Sequence, residues 1–448
     1  MTPPSLAALD ACFEGVVPSI VCTLAPDGTP NISHLSHVAR LGGPQVALSN
    51  QFFSKTAANL RGNPRAALLV VDPTDSAQYR LDLLYRGSVE DGPAFDRMAA
   101  DLRATSAQLG MADVMRLRAV DVFDVLEVRR VRDDRAAAAP ERPAGQGLAR
   151  ALAVTEALVR ATELGGMVDA ALDTLAAAFG HEATLVLLHD PARGCLVALG
   201  SRGYGASGIG AEVPLGEGLI GLAARDRRLL RVGDASRLRR YGAAIAATSE
   251  HEARTRSVAL PGLPEAMSQV AVPMMEAQGR LQGVLFLESA RRMAFDAEDG
   301  LALSLVARQL GTAIALAEAE GGEAAAAVPH GPAPPAADRP VRVVHHAQDD
   351  SVFIGHEYLV KGVPGRLLIW MLDAYRDAGR LDFTNREIRA DAALRLPELK
   401  DNLETRLLLL QRRLEEKRAP VRLLRPARGR IRLEVQGRLA VASDRARA

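Results

Sequence analysis

Leu403, Leu407, Leu410 and Leu414 recur at steps of four, three and four, which sets them on one stripe of a helix. The opposite face is polar and basic. It carries Asn402, Thr405, Arg406, Arg412 and Arg413, with Lys400 one turn earlier. Leu407 to Leu410 is an unbroken run, so Leu408 or Leu409 is expected to point outward, toward a ligand, a second subunit or another core. After Lys417 and Arg418 the helical period gives way to two short β-like runs, 421–424 and 431–435. The Pro426 and Gly429 turn between them predicts a hairpin.

Upstream, two other patterns precede this one. In the first 134 residues a short amphipathic helix (5–13) leads into strands at 19–24 and 30–39, joined by the turn Pro26-Asp27-Gly28-Thr29. Further strands are expected at 46–49, 66–71, 79–89 and 120–131, with a helix at 55–61, a mainly antiparallel set with a small-barrel pattern. From about 147 to 319, helices at 149–161 and 167–179 precede strands at 183–189 and 195–201. A glycine-rich stretch (213–223), strands at 229–232, 269–274 and 283–289, and a long helix N-capped by Asp296 follow. Periodicity breaks at 135–143 and again at 320–342, where Ala and Pro crowd out large apolar residues, so both read as linkers. Three units result: 1–134, 147–319 and 343–440.

Composition adds little about fold but something about partners. A length of 448 residues suits about three domains. No run of about 18 apolar residues and no leader-like start is apparent, so a cytoplasmic protein is expected, with neither a membrane span nor secretion. Cys12, Cys22 and Cys195 lack CxxC spacing, which argues against a zinc site or disulfide framework; a Cys12–Cys22 redox pair is the alternative to small buried thiols. Charge is uneven. From Arg339 onward Lys and Arg number 23 against 15 Asp and Glu, whereas the remainder is acidic, 32 against 39. A basic module at one end suits a polyanionic partner.

The C-terminal segment resembles the winged-helix output domain of response-regulator transcription factors, through Arg412-Arg413-Leu414-Glu415 and Arg428-Gly429-Arg430-Ile431-Arg432-Leu433. The resemblance implies DNA binding, with Lys400, Asn402, Thr405, Arg406, Arg412 and Arg413 on a recognition helix and Arg428 and Arg430 on the wing. Leu408 or Leu409 would then meet a thymine methyl, if not a protein surface. A solvated helix face with a basic tail, or a protein-binding winged helix, is the competing account.

The first unit resembles the pyridoxamine 5′-phosphate oxidase-like split barrel, on the 26–30 hairpin, on Asn50-Gln51-Phe52-Phe53-Ser54-Lys55-Thr56 and on Asn59 to Leu68. The resemblance implies an FMN site at Asn50, Gln51, Ser54, Lys55 and Thr56, where a hydroxyl, a cation and helix N-terminal amides suit a phosphate. An ordinary capped helix is the alternative. No Arg-x-His substrate motif follows, and related barrels hold haem or a deazaflavin, or nothing. His34 and His37, three apart on one expected strand, should face opposite sides; one alone could ligate haem.

The second unit resembles a GAF domain, on its glycine-rich crossover, its Val272-Pro273 strand and its Phe295-Asp296-Ala297-Glu298-Asp299 helix start. That implies a small-molecule pocket, with the 242–267 segment as a lid or a disordered insertion and with Cys195 and His251 as weak pocket candidates. Gly216-Glu217-Gly218 lacks the order of a dinucleotide fingerprint. The chain therefore reads as a multidomain α+β protein: an antiparallel split β-barrel, a GAF α/β sandwich, then a winged helix. No phospho-acceptor domain is apparent. The expected function is a one-component transcriptional regulator, dimeric, sensing a small molecule or redox state; the alternative is a flavin-dependent oxidoreductase with regulatory modules. Pairing of the helices at 149–161 and 301–319 between subunits would carry the signal.

Overall fold

The computed structural model describes residues 5–15, 17–51, 54–73, 77–108, 116–132, 145–161, 163–234, 258–320, 340–396 and 402–444. Both expected linkers, His251 and Lys400 lie outside the described residues, apart from the linker edges. The 242–257 part of the expected lid lies outside them too.

Strands β1 (Ser19–Leu24), β2 (Pro30–Leu35), β3 (Val38–Arg40), β4 (Gln45–Asn50), β5 (Arg65–Val71), β6 (Gln78–Val89) and β7 (Ala119–Arg132) form one antiparallel sheet. Its order is β2-β1-β5-β6-β7-β4-β3. Three register shifts between β6 and β7 bend the sheet, since each extra residue kinks a strand. Val21, Leu68, Leu81 and Phe123 gather inside the curl, and a 3₁₀ segment, Leu6–Phe13, adds Leu9 and Phe13 to that core. The strand expected at 30–39 is interrupted, because Ser36 and His37 bend between β2 and β3. His34 is exposed on β2 and His37 sits in the bend, 3.6 Å from Asp101, so the two do not share a strand. Helix α1 (Ser54–Gly62) matches its expected place. Helix α2 (Pro93–Gln108) was not foreseen; it reaches into the second unit, where Ala100 joins the core and Arg103 pairs with Asp226 at 3.1 Å.

In the second unit, α3 (Gly147–Arg160) and α4 (Leu164–Phe179) precede β8 (Ala183–Asp190), β9 (Cys195–Arg202) and β10 (Glu212–Pro214). After α5 (Gly218–Asp226) and β11 (Leu230–Val232) come β12 (Ser268–Met275), β13 (Leu281–Ser289) and α6 (Ala297–Glu320). The sheet order is β10-β9-β8-β13-β12-β11. β8 and β13 are apolar on both faces, as a sheet covered on two sides requires. Val186, Leu285 and Leu287 face α3, α4 and α6, while Leu185, Leu187 and Phe286 face α5. Asp296 caps α6 as expected, its Oδ1 accepting from the Asp299 amide at 2.8 Å. By length and composition α6 could cross a membrane, contrary to the expectation that no run qualifies. Leu303, Val306 and Leu310 instead lie fully buried in this unit's core.

His181, between α4 and β8, is a buried histidine whose Nε2 meets the Thr184 hydroxyl. Desolvation pushes its imidazole down to about 4 from 6.5. Below 6.5 the unfolded chain takes up a proton that the fold refuses, so the His181 contribution is complete above 6.5 and is lost as pH falls toward 4. The loss is about 3 kcal/mol. His181→Gln is expected to flatten the fall in melting temperature between pH 7 and 4.5; parallel falls in variant and parent would reject this assignment.

The third unit opens with β14 (Pro340–His346), β15 (Ser351–Ile354) and β16 (Glu357–Val360), followed by α7 (Val363–Ala378), β17 (Asp382–Thr384), α8 (Asn385–Ala390) and a 3₁₀ turn, Ala392–Leu394. Helix α9 (Leu403–Glu416), β18 (Val421–Leu424), β19 (Arg430–Val435) and β20 (Arg438–Asp444) complete it. One sheet runs β16-β15-β14-β20, with β20 parallel to β14; the other is β17-β19-β18. Thr384 and Glu387 form a reciprocal cap at the start of α8. The expected leucine stripe is buried in full: Leu403, Leu407, Leu410 and Leu414 pack with Leu367, Leu368 and Phe383.

Candidate functional site

Helix α9 starts after Asn402, whose backbone is left-handed (φ 46°), and ends where Arg418 turns the chain into the β18–β19 hairpin. Its leucine stripe faces its own unit. Its other side is buried or half-buried, because the second unit covers most of it. The Glu318 carboxylate near the end of α6 accepts from the amides of Glu404 (3.2 Å) and Thr405 (2.7 Å) and from the Thr405 hydroxyl. Three donors compensate a carboxylate whose burial pushes its pKa up. Asn402 donates to the His189 carbonyl at 3.5 Å. Arg412 donates to the carbonyls of Leu199 (2.8 Å) and Gly165 (3.1 Å) and pairs with Asp169 at 2.9 Å. Arg406 lies 3.7 Å from Asp190.

Arg406 and Arg413, expected on the outward face, are buried instead. Arg406 is 5% exposed and Arg413 3%. The reason is packing on two sides: Arg413 reaches back to the β16 region, donating to the carbonyls of Leu359 (2.9 Å) and Tyr358 (3.2 Å) and to Glu416. Among the three fates foreseen for the leucine run, Leu408 takes the third and joins the second unit's core beside Gly165. Arg428 is exposed on the hairpin turn and Arg430 half-buried, whereas Arg425 pairs with Glu404. A cleft of about 410 Å³ opens where α4, α9 and this hairpin meet, lined by Glu163, Asp169, Arg412, Arg425 and Arg428 among others. A second cavity between the units, beside Arg193, Lys361 and Arg406, measures about 50 Å³. That is room for water rather than for a metabolite.

The first unit gathers a separate polar cluster. Thr56, in the first turn of α1, is buried and bonded through its hydroxyl to Asn31 (3.1 Å) and Ser33 (3.1 Å). Asn50 donates to Asp121 at 3.2 Å, and burial raises the Asp121 carboxyl despite bonds from Ser88 and Asn50. Gln51 is 4% exposed; its Oε1 accepts from Ser36, and its buried Nε2 has no hydrogen-bond partner among the described residues. Lys55 is exposed at the helix start, while the Ser54 side chain lies outside the described residues. An ammonium, a buried amide donor without an acceptor and helix N-terminal amides are the donor set an anion requires.

In the second unit, the described end of the expected lid lies against the sheet: Leu263 donates at 3.1 Å to Glu288, which also accepts from Gln269 of β12 at 2.7 Å. Cys195 is buried, and desolvation holds its thiol up. Cys12 and Cys22 are not joined in a disulfide.

Residues 161–315 match the GAF-domain family model. The second unit is a GAF domain. Residues 6–126 match the pyridoxamine 5′-phosphate oxidase model, so the first unit is a domain of that kind. Among solved structures, the GAF domain of a phosphoenolpyruvate-protein phosphotransferase from Acinetobacter is 21% identical. It covers 40% of this chain and 97% of that one, with a TM-score of 0.33. Free methionine-R-sulfoxide reductase from Neisseria meningitidis is also 21% identical, over 41% of this chain and 98% of that one, with a TM-score of 0.31. An FMN-binding protein from Syntrophomonas wolfei subsp. wolfei is 18% identical, over 29% and 86%, with a TM-score of 0.25. No curated protein matches the chain.

The GAF residues that meet α9 were missed from sequence. Glu318, Asp169, Asp190 and Gly165 lie from 86 to 247 positions away from their partners. No local pattern marks such a contact.

Proposed function

We propose that the chain is a one-component transcriptional regulator, in which the oxidase-like and GAF domains sense a small molecule or redox state and the C-terminal unit binds DNA as a winged helix. The observation carrying this reading is the order α7, β17, α8, α9, then a hairpin with Arg422, Arg425, Arg428 and Arg430 along it, β17 pairing with its return strand. A helix followed by a basic hairpin offers one element for a major groove and another for the adjacent backbone. With the second unit lifted from α9, the DNA-facing set is Lys400, Asn402, Thr405, Arg406, Arg412, Arg428 and Arg430; Arg413, held by carbonyls of its own unit, serves the fold instead. FMN is the proposed occupant of the first domain, with its phosphate at Lys55, Gln51 and the start of α1. The second reading, a flavin-dependent oxidoreductase, draws on the same donor set.

A homodimer in the cytoplasm completes the proposal. Leu148, Leu152 and Val159 on α3, and Leu301, Leu305 and Leu316 on α6, are exposed apolar residues on adjacent helices, a surface suited to a second copy. The test is duplex binding by the full chain across a salt series. With six or more phosphates contacted, affinity is expected to fall by about 10³-fold between 50 and 200 mM salt. Binding that ignores salt would reject the reading. An absorption spectrum taken on the same sample separates a bound flavin from haem, and turnover of a nicotinamide donor would favour the oxidoreductase.

A further inference from the structure

We infer that the GAF domain is an intramolecular competitor of DNA: it holds α9 through acidic and carbonyl groups that occupy the positions a duplex's phosphates would take. The inference rests on the DNA-binding reading above and adds how that activity is controlled.

Three contacts carry it. A helix N-terminus with free amides is an anion site, and here the anion is the Glu318 carboxylate, held by the amides of Glu404 and Thr405. A guanidinium is a phosphate-gripping group, and that of Arg412 is taken by Asp169 and by the Leu199 and Gly165 carbonyls. Leu408 is inserted into the GAF core against Gly165, where even a Cβ would lie a tight 3.2 Å from the Leu408 methyl. From Leu403 to Leu414 no residue of α9 is exposed. A helix with side chains is about 10–12 Å across and the major groove about 12 Å wide, so α9 cannot enter a groove with the GAF domain on its outer face. Docking and DNA binding are mutually exclusive.

The device is also placed where a GAF signal would arrive. Gly165 and Asp169 sit in the first turns of α4, and Glu318 sits at the end of α6; both helices pack on the GAF sheet. A ligand that shifts either helix changes the docked population, and the apparent dissociation constant for DNA is the intrinsic one divided by the undocked fraction.

The test uses the full chain and leaves every α9 residue intact. Asp169→Ala/Glu318→Ala removes the carboxylates that hold Arg412 and the start of α9, leaving Asp190 beside Arg406, and Gly165→Leu wedges Leu408 out without changing charge. Amide hydrogen exchange at 403–406 reads docking, and anisotropy with a random-sequence duplex at low salt reads binding. Faster exchange in both variants, with about tenfold tighter DNA binding, is the expected result. Unchanged exchange overturns the inference, as does tighter binding by the double variant alone, which charge removal would explain. Faster exchange with unaltered but measurable affinity overturns it and leaves the DNA-binding reading standing. Faster exchange with no binding by any of the three proteins rejects that reading, and the inference with it.

Discussion

Arg413→Ala is expected to destabilise the C-terminal unit by about 3–5 kcal/mol, the usual cost of removing one partner from a buried charged network. The side chain is enclosed, and its three nitrogens are distributed over the Leu359 carbonyl, the Tyr358 carbonyl and the Glu416 carboxylate. Alanine would leave two carbonyls at the β16 edge without that donor, and would free Glu416 to repel Glu415 nearby. Arg413→Lys is expected to recover little, since one ammonium cannot reproduce the fork. The chain has a single tryptophan, Trp370, which packs on Phe383 at 5.3 Å and donates to Asp391 at 2.8 Å within the same unit. Urea unfolding followed by its fluorescence therefore reports this unit selectively. A shift below 1 kcal/mol would show that the guanidinium is dispensable there.

Gly203→Ala is the second large effect expected, about 3–5 kcal/mol, from a left-handed backbone and a steric conflict acting together. Gly203 follows β9 with φ +81°, and a Cβ there would lie 1.8 Å from the Glu182 carbonyl oxygen. That oxygen belongs to backbone leading into the central strand β8, so it cannot move aside without disturbing the sheet. Gly28 is the natural control. Its φ is +84° with nothing within 4 Å, so Gly28→Ala should cost only the conformational part, about 1 kcal/mol. Equal losses in the two variants, measured by thermal unfolding with circular dichroism, would show that the close approach at Glu182 is unimportant.

Strands and helices with a regular apolar period are legible in the sequence. The stripe at Leu403, Leu407, Leu410 and Leu414 is buried without exception, and Asp296 caps the helix it was expected to cap. Periodicity fails where an element is covered on two sides. Arg406 and Arg412 belong to a polar face only with respect to their own unit; the GAF domain supplies a second surface, and nothing in the local sequence announces it. Helix α2 escaped because its described buried residues, Met98, Ala100 and Leu102, are few and stand two apart, a strand-like spacing. At the flavin candidate, the sequence offers Asn50 and Thr56 as phosphate-site residues. Their side chains are nonetheless engaged with Asp121, Asn31 and Ser33, which a linear pattern cannot reveal.

The parallel pairing of β14 with β20 has a consequence during synthesis. Residues 340–346 pair with 438–444, so the first strand of the unit stays open along one edge until about a hundred more residues have been made. At 5–20 residues per second that interval is roughly 5–20 s, long after the 161–315 segment has left the ribosome. The newborn α9 thus meets a finished GAF surface before its own sheet has closed. Each molecule is born with its helix already sheltered.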